Sequence, residues 1–129
     1  MLREKSHVND IEKFQSLDLL ATLVTVVNSS GIVIYANAEL ENVLGLSRRA
    51  IVGNLLAEFF TEPVELQNAL KGAATNEYAA FRYDAWLNRI NYEAMPVHVI
   101  VSQTGQPEEI IVELLPLEQQ ARQDREERV

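Results

Sequence analysis

Residues 28–47 read NSSGIVIYANAELENVLGLS, and this stretch decides the fold. Residues 28–31 are turn formers, and the β-branched run at residues 32–35 predicts a strand that follows a tight turn. Asn37 comes next, and an asparagine side chain can accept a free backbone N–H in the first turn of a helix. Gly45 is a natural end for that helix, because glycine tolerates the left-handed conformation. The stretch therefore predicts a turn, a strand and a short helix in direct succession.

The segment before the turn is also rich in β-branched residues. Residues 23–27 read LVTVV, so they predict a first strand that pairs with residues 32–35 as a hairpin. Residues 19–38 carry no charge, which raises the alternative of a membrane helix. The polar turn at residues 28–31 would then lie at the centre of the bilayer, without water to satisfy its backbone. The hairpin is therefore preferred, and we expect no membrane contact.

Apolar residues at three-residue steps predict a helix at the N-terminus. They are Val8, Ile11, Phe14, Leu17, Leu20 and Leu23. This apolar face allows two interpretations: it covers the core of its own domain, or it pairs with a second copy of the chain. The stripe available for dimerisation consists of Ile11, Phe14, Leu17 and Leu20.

The residues after the first helix predict further short helices. Ser47 can cap a second one. Residues 55–60 are too apolar for a surface loop and predict a helical turn that packs on the core. Pro63 suits the first position of a longer helix, which extends to Gly72.

Alternating side chains predict three strands in the second half, at residues 77–86, 90–102 and 110–115. A turn is expected around Asn88, and Pro96 predicts an edge strand or a bulge. Because turns alone link these strands, we expect an α+β fold with one antiparallel sheet and the helices on one face. From residue 118 onward helix formers dominate with little to bury, so we expect an exit helix that continues beyond Val129.

Composition limits the class of function. The 129 residues suffice for one core, and 47% hydrophobic with 23% charged residues is a globular balance. The net charge of -8 opposes binding to nucleic acid, because such binding depends on basic residues that neutralise phosphates. The chain has no cysteine, and its start lacks the apolar core of a signal peptide. We therefore expect a soluble cytoplasmic domain.

Catalytic and metal-binding patterns are weak. The carboxylates show no shared spacing that would pair them, so no catalytic residues are predicted. His98 is isolated and is better explained as a satisfied or edge histidine than as a metal ligand. A group of aromatic residues could line a small cofactor pocket between helices and sheet or simply fill the core, and the second interpretation is preferred. These residues are Phe59, Phe60, Phe81, Tyr83 and Tyr92.

The sequence resembles the PAS domain family. Residues 28–37 are similar to the family's turn-Gly-x-Ile-x-Tyr-x-Asn signature, with Asn28 where many members have Asp, and residues 44–47 with Gly53 are similar to its Leu-Gly-x-Ser…Gly. The resemblance implies five antiparallel strands in the order 2-1-5-4-3. It also implies three parts: an N-terminal helix at residues 1–22, the PAS domain at residues 23–117, and a signalling helix that starts at residues 118–129.

A closer likeness is to the input domains of NtrB-type nitrogen-regulation sensor histidine kinases. Residues 95–97 (MPV) and 113–122 (ELLPLEQQAR) are similar to a proline-containing strand, a Glu-Leu-x-Pro-Leu ending and a charged helix of that family. The resemblance implies a homodimeric input domain in a two-component system, with a PII-type signal protein and a response regulator as partners of the parent kinase. The chain lacks the family's His-Glu-x-x-Asn-Pro box, so we expect no catalysis here and ATP and Mg only in a kinase core elsewhere.

The residue types oppose two cofactors that some PAS domains bind, haem and flavin. Residues 63–71 contain no histidine for haem, and flavin photochemistry needs a cysteine. No cofactor is therefore expected in this chain. The alternative function is a PAS sensor that binds a small molecule and belongs to another kinase or to a transcriptional regulator.

Overall fold

The sheet is antiparallel, and its strands lie in the order β2-β1-β5-β4-β3. The computed structural model describes residues 14–19, 21–75, 79–106 and 108–117. The strands are β1 (Leu23–Val27), β2 (Val33–Ala36), β3 (Ala80–Arg89), β4 (Tyr92–Gln103) and β5 (Ile110–Pro116). The strand order predicted from the resemblance is confirmed, as are the turn-linked pairs.

Three α-helices and two 3-10 helices complete the described part of the chain. The α-helices are α1 (Ala38–Leu44), α2 (Arg48–Ile51) and α3 (Pro63–Ala74), and the 3-10 helices are Gln15–Leu19 and Leu56–Phe59. Gly45 ends α1 in the left-handed conformation, with φ at 74°. Pro63 occupies the start of α3, where its missing N–H costs nothing. Within the described residues, none of the helices combines the length and apolar character needed to span a bilayer.

The helices cover one face of the sheet, which we call the inner face. Alternate side chains of β4 point to it, and Val97, Val99 and Val101 are fully buried there. The helical layer contributes Leu40, Leu44, Ile51, Leu56 and Leu66 to the same core. Apolar area of this extent, removed from water, is the main stabilisation of a domain of this size.

Two local predictions in the second half are corrected. The turn expected around Asn88 lies further on, because β3 continues to Arg89 and the left-handed residue is Asn91, with φ at 62°. Pro96 belongs to an inner strand and not to an edge. It is tolerated because the pairing of β4 with β5 begins only at Val97, opposite Pro116, so the β5 side of Pro96 lies beyond the ladder.

The N-terminal prediction is corrected at its end, because the described helical segment, Gln15–Leu19, is a 3-10 helix that stops before residue 22. The strand predicted at residues 23–27 is confirmed, since Leu23 opens β1 and lies opposite Leu114 of β5. Ile11 and Leu20 lie outside the described residues, and so does the predicted exit helix at residues 118–129.

Candidate functional site

Asn37 joins three elements at the start of α1. Its side chain is fully buried, and its Oδ1 accepts hydrogen bonds from the backbone N–H groups of Leu40 and Val24, each at 3.1 Å. Its Nδ2 donates to the carbonyls of Leu17 at 3.2 Å and Thr22 at 2.7 Å. One side chain therefore caps α1, closes the start of β1 and holds the segment that precedes the sheet.

An ion pair fastens the same N-terminal segment to the helical layer. Asp18 Oδ1 accepts from Arg48 Nη2 at 2.8 Å and from the backbone N–H of Ala38 at 3.1 Å. The Arg48 guanidinium also lies 3.5 Å from Glu41 Oε2 and 5.0 Å from the centre of the Tyr35 ring. Because a guanidinium binds carboxylates and aromatic faces at the same time, Arg48 links these three groups.

The cap of α2 differs from the prediction. Ser47 takes the extended conformation of a capping residue, but its side chain makes no cap hydrogen bond. The Glu41 carboxylate accepts from the backbone N–H of Arg48 instead, at 2.6 Å. A carboxylate is favourable at a helix start, so Glu41 supplies from α1 what Ser47 was expected to supply.

The outer face of the sheet carries a second, smaller apolar cluster. Val26, Tyr35 and Phe14 are its buried members, and Leu17 and Ile111 pack against it. Val26 lies opposite both Tyr35 on β2 and Ile111 on β5. The rings of Phe14 and Tyr35 are 5.6 Å apart and tilted by 39°. The N-terminal segment thus covers the outer face where β2, β1 and β5 meet, and we call this patch the outer cluster.

The acidity of Tyr35 is clearly altered by its surroundings. Burial raises the pKa of Tyr35 to about 12, and the nearby Asp18 carboxylate adds to the rise while Arg48 opposes it. The buried hydroxyl has no partner with hydrogen-bond geometry among the described residues, so we assign the effect of Asp18 to its charge. Tyr35 therefore stays neutral across the physiological range.

Beyond the outer cluster, the outer face is mixed and partly exposed. His98 Nδ1 lies 2.8 Å from Asp84 Oδ1 in a directly opposed pair of β4 and β3. Leu115 lies opposite His98 on the other side, and Trp86 of β3 is 53% exposed. The histidine thus has a carboxylate partner. No set of three or more metal-binding side chains occurs in the described ranges.

The five aromatic residues predicted as pocket candidates divide between the inner core and the surface. Phe60 is buried in the core, and Phe59 and Tyr83 pack against that core. Phe81 is 37% exposed and its ring lies 5.8 Å from that of Tyr83. Tyr92 is 73% exposed and lies under the Arg89 guanidinium at 5.4 Å. Phe59, Phe60 and Tyr83 thus share the inner core, whereas Tyr92 lies at the surface.

A cleft of about 320 Å³ lies elsewhere, between the β1–β2 turn and α3. Its lining consists of Ser29, Ser30, Gly31, Leu55, Ala57, Gln67, Asn68, Leu70 and Lys71. This volume is at the lower end of the range for small-molecule sites. None of the five aromatic residues contributes to it.

The fold and its capping network lead to the family. The family model for the PAS fold matches residues 12–116. This chain is a PAS domain. The match includes the outer-cluster residues Phe14 and Leu17 as well as the sheet, so the N-terminal segment belongs to the matched part. A PAS domain is a sensory module of signalling proteins without catalysis of its own.

Solved structures support the fold of this PAS domain. It is similar to the PAS domain of an HTR-like protein from Haloarcula marismortui, with 16% identity, a TM-score of 0.66, and coverage of 81% of this chain and 97% of that one. A PAS domain from a two-component sensor histidine kinase is 9% identical, with a TM-score of 0.65 and coverage of 86% of this chain and 98% of that one. A third similar structure is the PAS domain of the RpfR quorum-sensing receptor from Cronobacter turicensis in complex with BDSF. It is 11% identical, with a TM-score of 0.66 and coverage of 75% of this chain and 94% of that one. The search of curated proteins found no significant match.

Two features of the PAS domain had no sequence signal. Asp18 and Arg48 are thirty positions apart in the chain, and only the fold brings them together. Sequence analysis gave Asn37 the role of a helix cap, whereas three of its contacts, to Val24, Leu17 and Thr22, depend on the sheet and the N-terminal segment. Of the predicted dimerisation stripe, Phe14 and Leu17 pack against the outer face of their own sheet.

Proposed function

We propose that this PAS domain is the sensory and dimerisation input domain of an NtrB-like two-component sensor histidine kinase that regulates nitrogen metabolism in the cytoplasm. It would control the balance between the kinase and phosphatase activities of the parent protein. The sequence supports this through residues 113–122, which are similar to the end of such input domains. The PII-type signal protein and the response regulator would be partners of the parent kinase, and ATP and Mg would bind its catalytic core.

The observation that carries the proposal is the outer cluster. Phe14 and Leu17, from the segment that leads into the sheet, pack together with Ile111, from the strand that leads out of it. A displacement of the N-terminal segment therefore acts directly on β5. Packed interfaces tend to switch between discrete arrangements, so such a contact suits the transfer of a signal from one flanking segment to the other.

Dimerisation would use the part of the outer face that lies beside the outer cluster. Trp86 is half exposed on the outer face, and Ile100 and Leu115 are only partly buried there. A two-fold axis beside the outer cluster would bury these side chains in an interface that uses the same patch twice. The Ile11, Phe14, Leu17 and Leu20 stripe would border that interface. The two exit segments would then leave as a pair toward the output unit.

Sedimentation equilibrium tests the dimer. We expect the wild-type chain to sediment as a dimer and the Ile11→Glu/Phe14→Glu variant as a monomer, because two carboxylates would have to be buried. Val64→Glu is the matched control, since Val64 is apolar and 64% exposed on α3, away from the sheet. A monomeric wild type, or a folded double variant with unchanged mass, would overturn the dimer proposal. Circular dichroism identifies a variant that has merely unfolded.

The kinase assignment has its own test. The parent reading frame should contain a His-Glu-x-x-Asn-Pro box shortly after Val129. The parent protein should also phosphorylate itself on that histidine, to an extent that a PII-type protein changes. A frame without the box would exclude the kinase while leaving the PAS domain and its dimer in place.

A second candidate function is a small-molecule sensor of another kinase or of a transcriptional regulator. The cleft between the β1–β2 turn and α3 favours it, because this is a concave site of suitable volume on a domain whose similar structures include a complex with BDSF. Native mass spectrometry of freshly purified protein is the test. A retained small molecule supports the sensor, and bare protein supports the interaction module.

A further inference from the structure

The cleft has an apolar floor and a polar rim. Leu70 and Ala57 are buried, and Leu55 is 38% exposed at the margin. Gly31 closes the floor in the left-handed conformation, and a Cβ there would lie 3.3 Å from Leu70 Cδ1. The floor is therefore tightly packed, and it offers a short apolar surface to a bound molecule.

One side of the rim is formed by α3 and has unused hydrogen-bonding capacity. Gln67 and Asn68 precede Lys71 by four and three positions, so the three side chains share one face of the helix. All three are exposed. Their side chains make no hydrogen bond or ion pair within the described part of the chain. A bound molecule would thus meet two amides and one ammonium group that have no other protein partner there.

The opposite side of the rim is already fixed. The Ser29 hydroxyl donates to Glu108, 2.9 Å from Oε1 and 3.1 Å from Oε2. Asn28 Oδ1 accepts the backbone N–H groups of Ser30 and Ile32, each at 3.0 Å. These bonds hold the turn in one conformation, so a ligand would not have to order it.

Charge restricts the ligand to an anion of low charge. Lys71 is the charged residue of the lining, and the Glu108 carboxylate at the opposite rim is already bound by the Ser29 hydroxyl. Lys71 lies in the last turn of α3, where the helix carbonyls carry partial negative charge, and the whole chain carries a net charge of -8. One ammonium group in that setting suits a single carboxylate better than a phosphate, which is normally held by several donors and by helix N-termini.

We propose that this cleft binds a small monocarboxylic acid, with Lys71 as the counter-ion of the carboxylate and with the apolar floor under its short carbon chain. Gln67 and Asn68 would bind a further polar group of the ligand. The inference rests on the second candidate function, small-molecule sensing, and names its site and ligand class. A ligand seated there would bridge α3 and the β1–β2 turn.

NMR titration of the 15N-labelled chain with hexanoate and with hexanamide, at fixed ionic strength, tests the proposal. We expect hexanoate to shift the backbone signals of Ser30, Gly31 and Lys71, and to bind about fivefold more tightly than the neutral amide. Lys71→Met should remove that preference and leave hexanamide binding unchanged. Arg49→Met is the matched control, because it removes one exposed positive charge on α2, away from the cleft.

Three results would overturn the proposal: equal affinity for acid and amide, equal losses in the two variants, or shifts confined to other parts of the domain. Absence of hexanoate binding would also overturn it. Native mass spectrometry separates this failure from that of the sensor function. A small molecule retained equally by wild type and Lys71→Met would preserve the sensor and reject this cleft.

Discussion

The two faces of the one sheet are built differently. The inner face is a continuous aliphatic layer sealed by the helices, with Val97, Val99 and Val101 fully buried along β4. On the outer face of the same strand, His98 has Asp84 as its partner and Ile100 is only partly buried. The inner face thus provides the stability of the domain. The outer face remains available to the N-terminal segment and, in our proposal, to a second copy.

The sharpest test of this difference is one substitution made on each face. Leu114 of β5 is fully buried on the inner face, and its neighbour Leu115 is partly exposed on the outer face. We expect Leu114→Ala to lower the free energy of unfolding by about 3 kcal/mol, and Leu115→Ala by about 1 kcal/mol or less. Urea denaturation of both variants measures this. Equal losses would show that the outer face is as well packed as the inner one.

Asn37 is expected to give the next largest loss, because it joins the helical layer to β1 and to the N-terminal segment. Asn37→Ala leaves the N–H groups of Leu40 and Val24 without their acceptor, which should cost about 2–3 kcal/mol. Asn42→Ala, at an exposed position of α1, is the control and should change little. Chemical denaturation followed by circular dichroism gives both values. A cost below that of an ordinary cap would mean that the buried contacts do not stabilise the fold.

Alkaline pH should act through Tyr35 in the outer cluster. Its pKa is raised from 10.0 in the unfolded chain to about 12 in the folded one, so between these values the unfolded chain loses the proton first. The stabilisation is complete below pH 10 and is lost as the pH rises toward 12. A pKa rise from 10.0 to about 12 corresponds to about 2–3 kcal/mol of stability.

Denaturation midpoints across this alkaline range, measured for wild type and Tyr35→Phe, test the effect. The Phe variant should lose less stability, whereas Tyr92→Phe should behave as wild type because Tyr92 is 73% exposed. If the denaturation midpoints of wild type and Tyr35→Phe fell equally with pH, the Tyr35 hydroxyl would be exposed to solvent and not buried.

The Asp18 and Arg48 pair should contribute less, because both side chains are partly exposed. We expect a coupling energy of about 0.5–1 kcal/mol from the double-mutant cycle of Asp18→Asn and Arg48→Met. Arg49→Met is again the matched control. The cycle is measured by urea denaturation. A coupling energy near zero would mean that the outer cluster, Asn37 and the Asp18 bond to the Ala38 backbone hold the N-terminal segment without help from Arg48.

The smallest effect is expected at the exposed pair on the outer face. Asp84→Asn should change the free energy of unfolding by less than about 0.5 kcal/mol, because the Asp84 side chain is 66% exposed and water competes for it. Thermal denaturation at neutral pH checks this. A loss comparable to that of Asn37→Ala would indicate that this face is buried in solution, and so would support an interface there.

Sequence patterns predicted the fold well because its elements follow local rules. Asn37, Gly45 and Pro63 each mark a helix boundary through their own backbone chemistry, and the structure places α1 and α3 accordingly. Alternation predicted a strand at residues 90–102, and β4 indeed buries every second side chain, Val97, Val99 and Val101 among them. A boundary failed where pairing overrides propensity, as at Asn88, which lies inside β3.

The candidate sites were much harder to predict, because they depend on distant contacts. The cleft joins a turn near residue 30 to a helix near residue 70, and no pattern within either segment signals the other. The aromatic residues were grouped by type, yet Phe60 is buried in the core and Tyr92 is exposed. Glu41 replaced Ser47 as the cap of α2 because α1 ends beside it, which only the fold can establish.

The pairing of Leu23 with Leu114 has an architectural consequence. Since β1 begins where β5 ends, the polypeptide joins and leaves the sheet at points about 5 Å apart, the spacing of neighbouring strands. A unit whose chain enters and leaves at neighbouring points can be inserted into another protein with little displacement of the segments on either side.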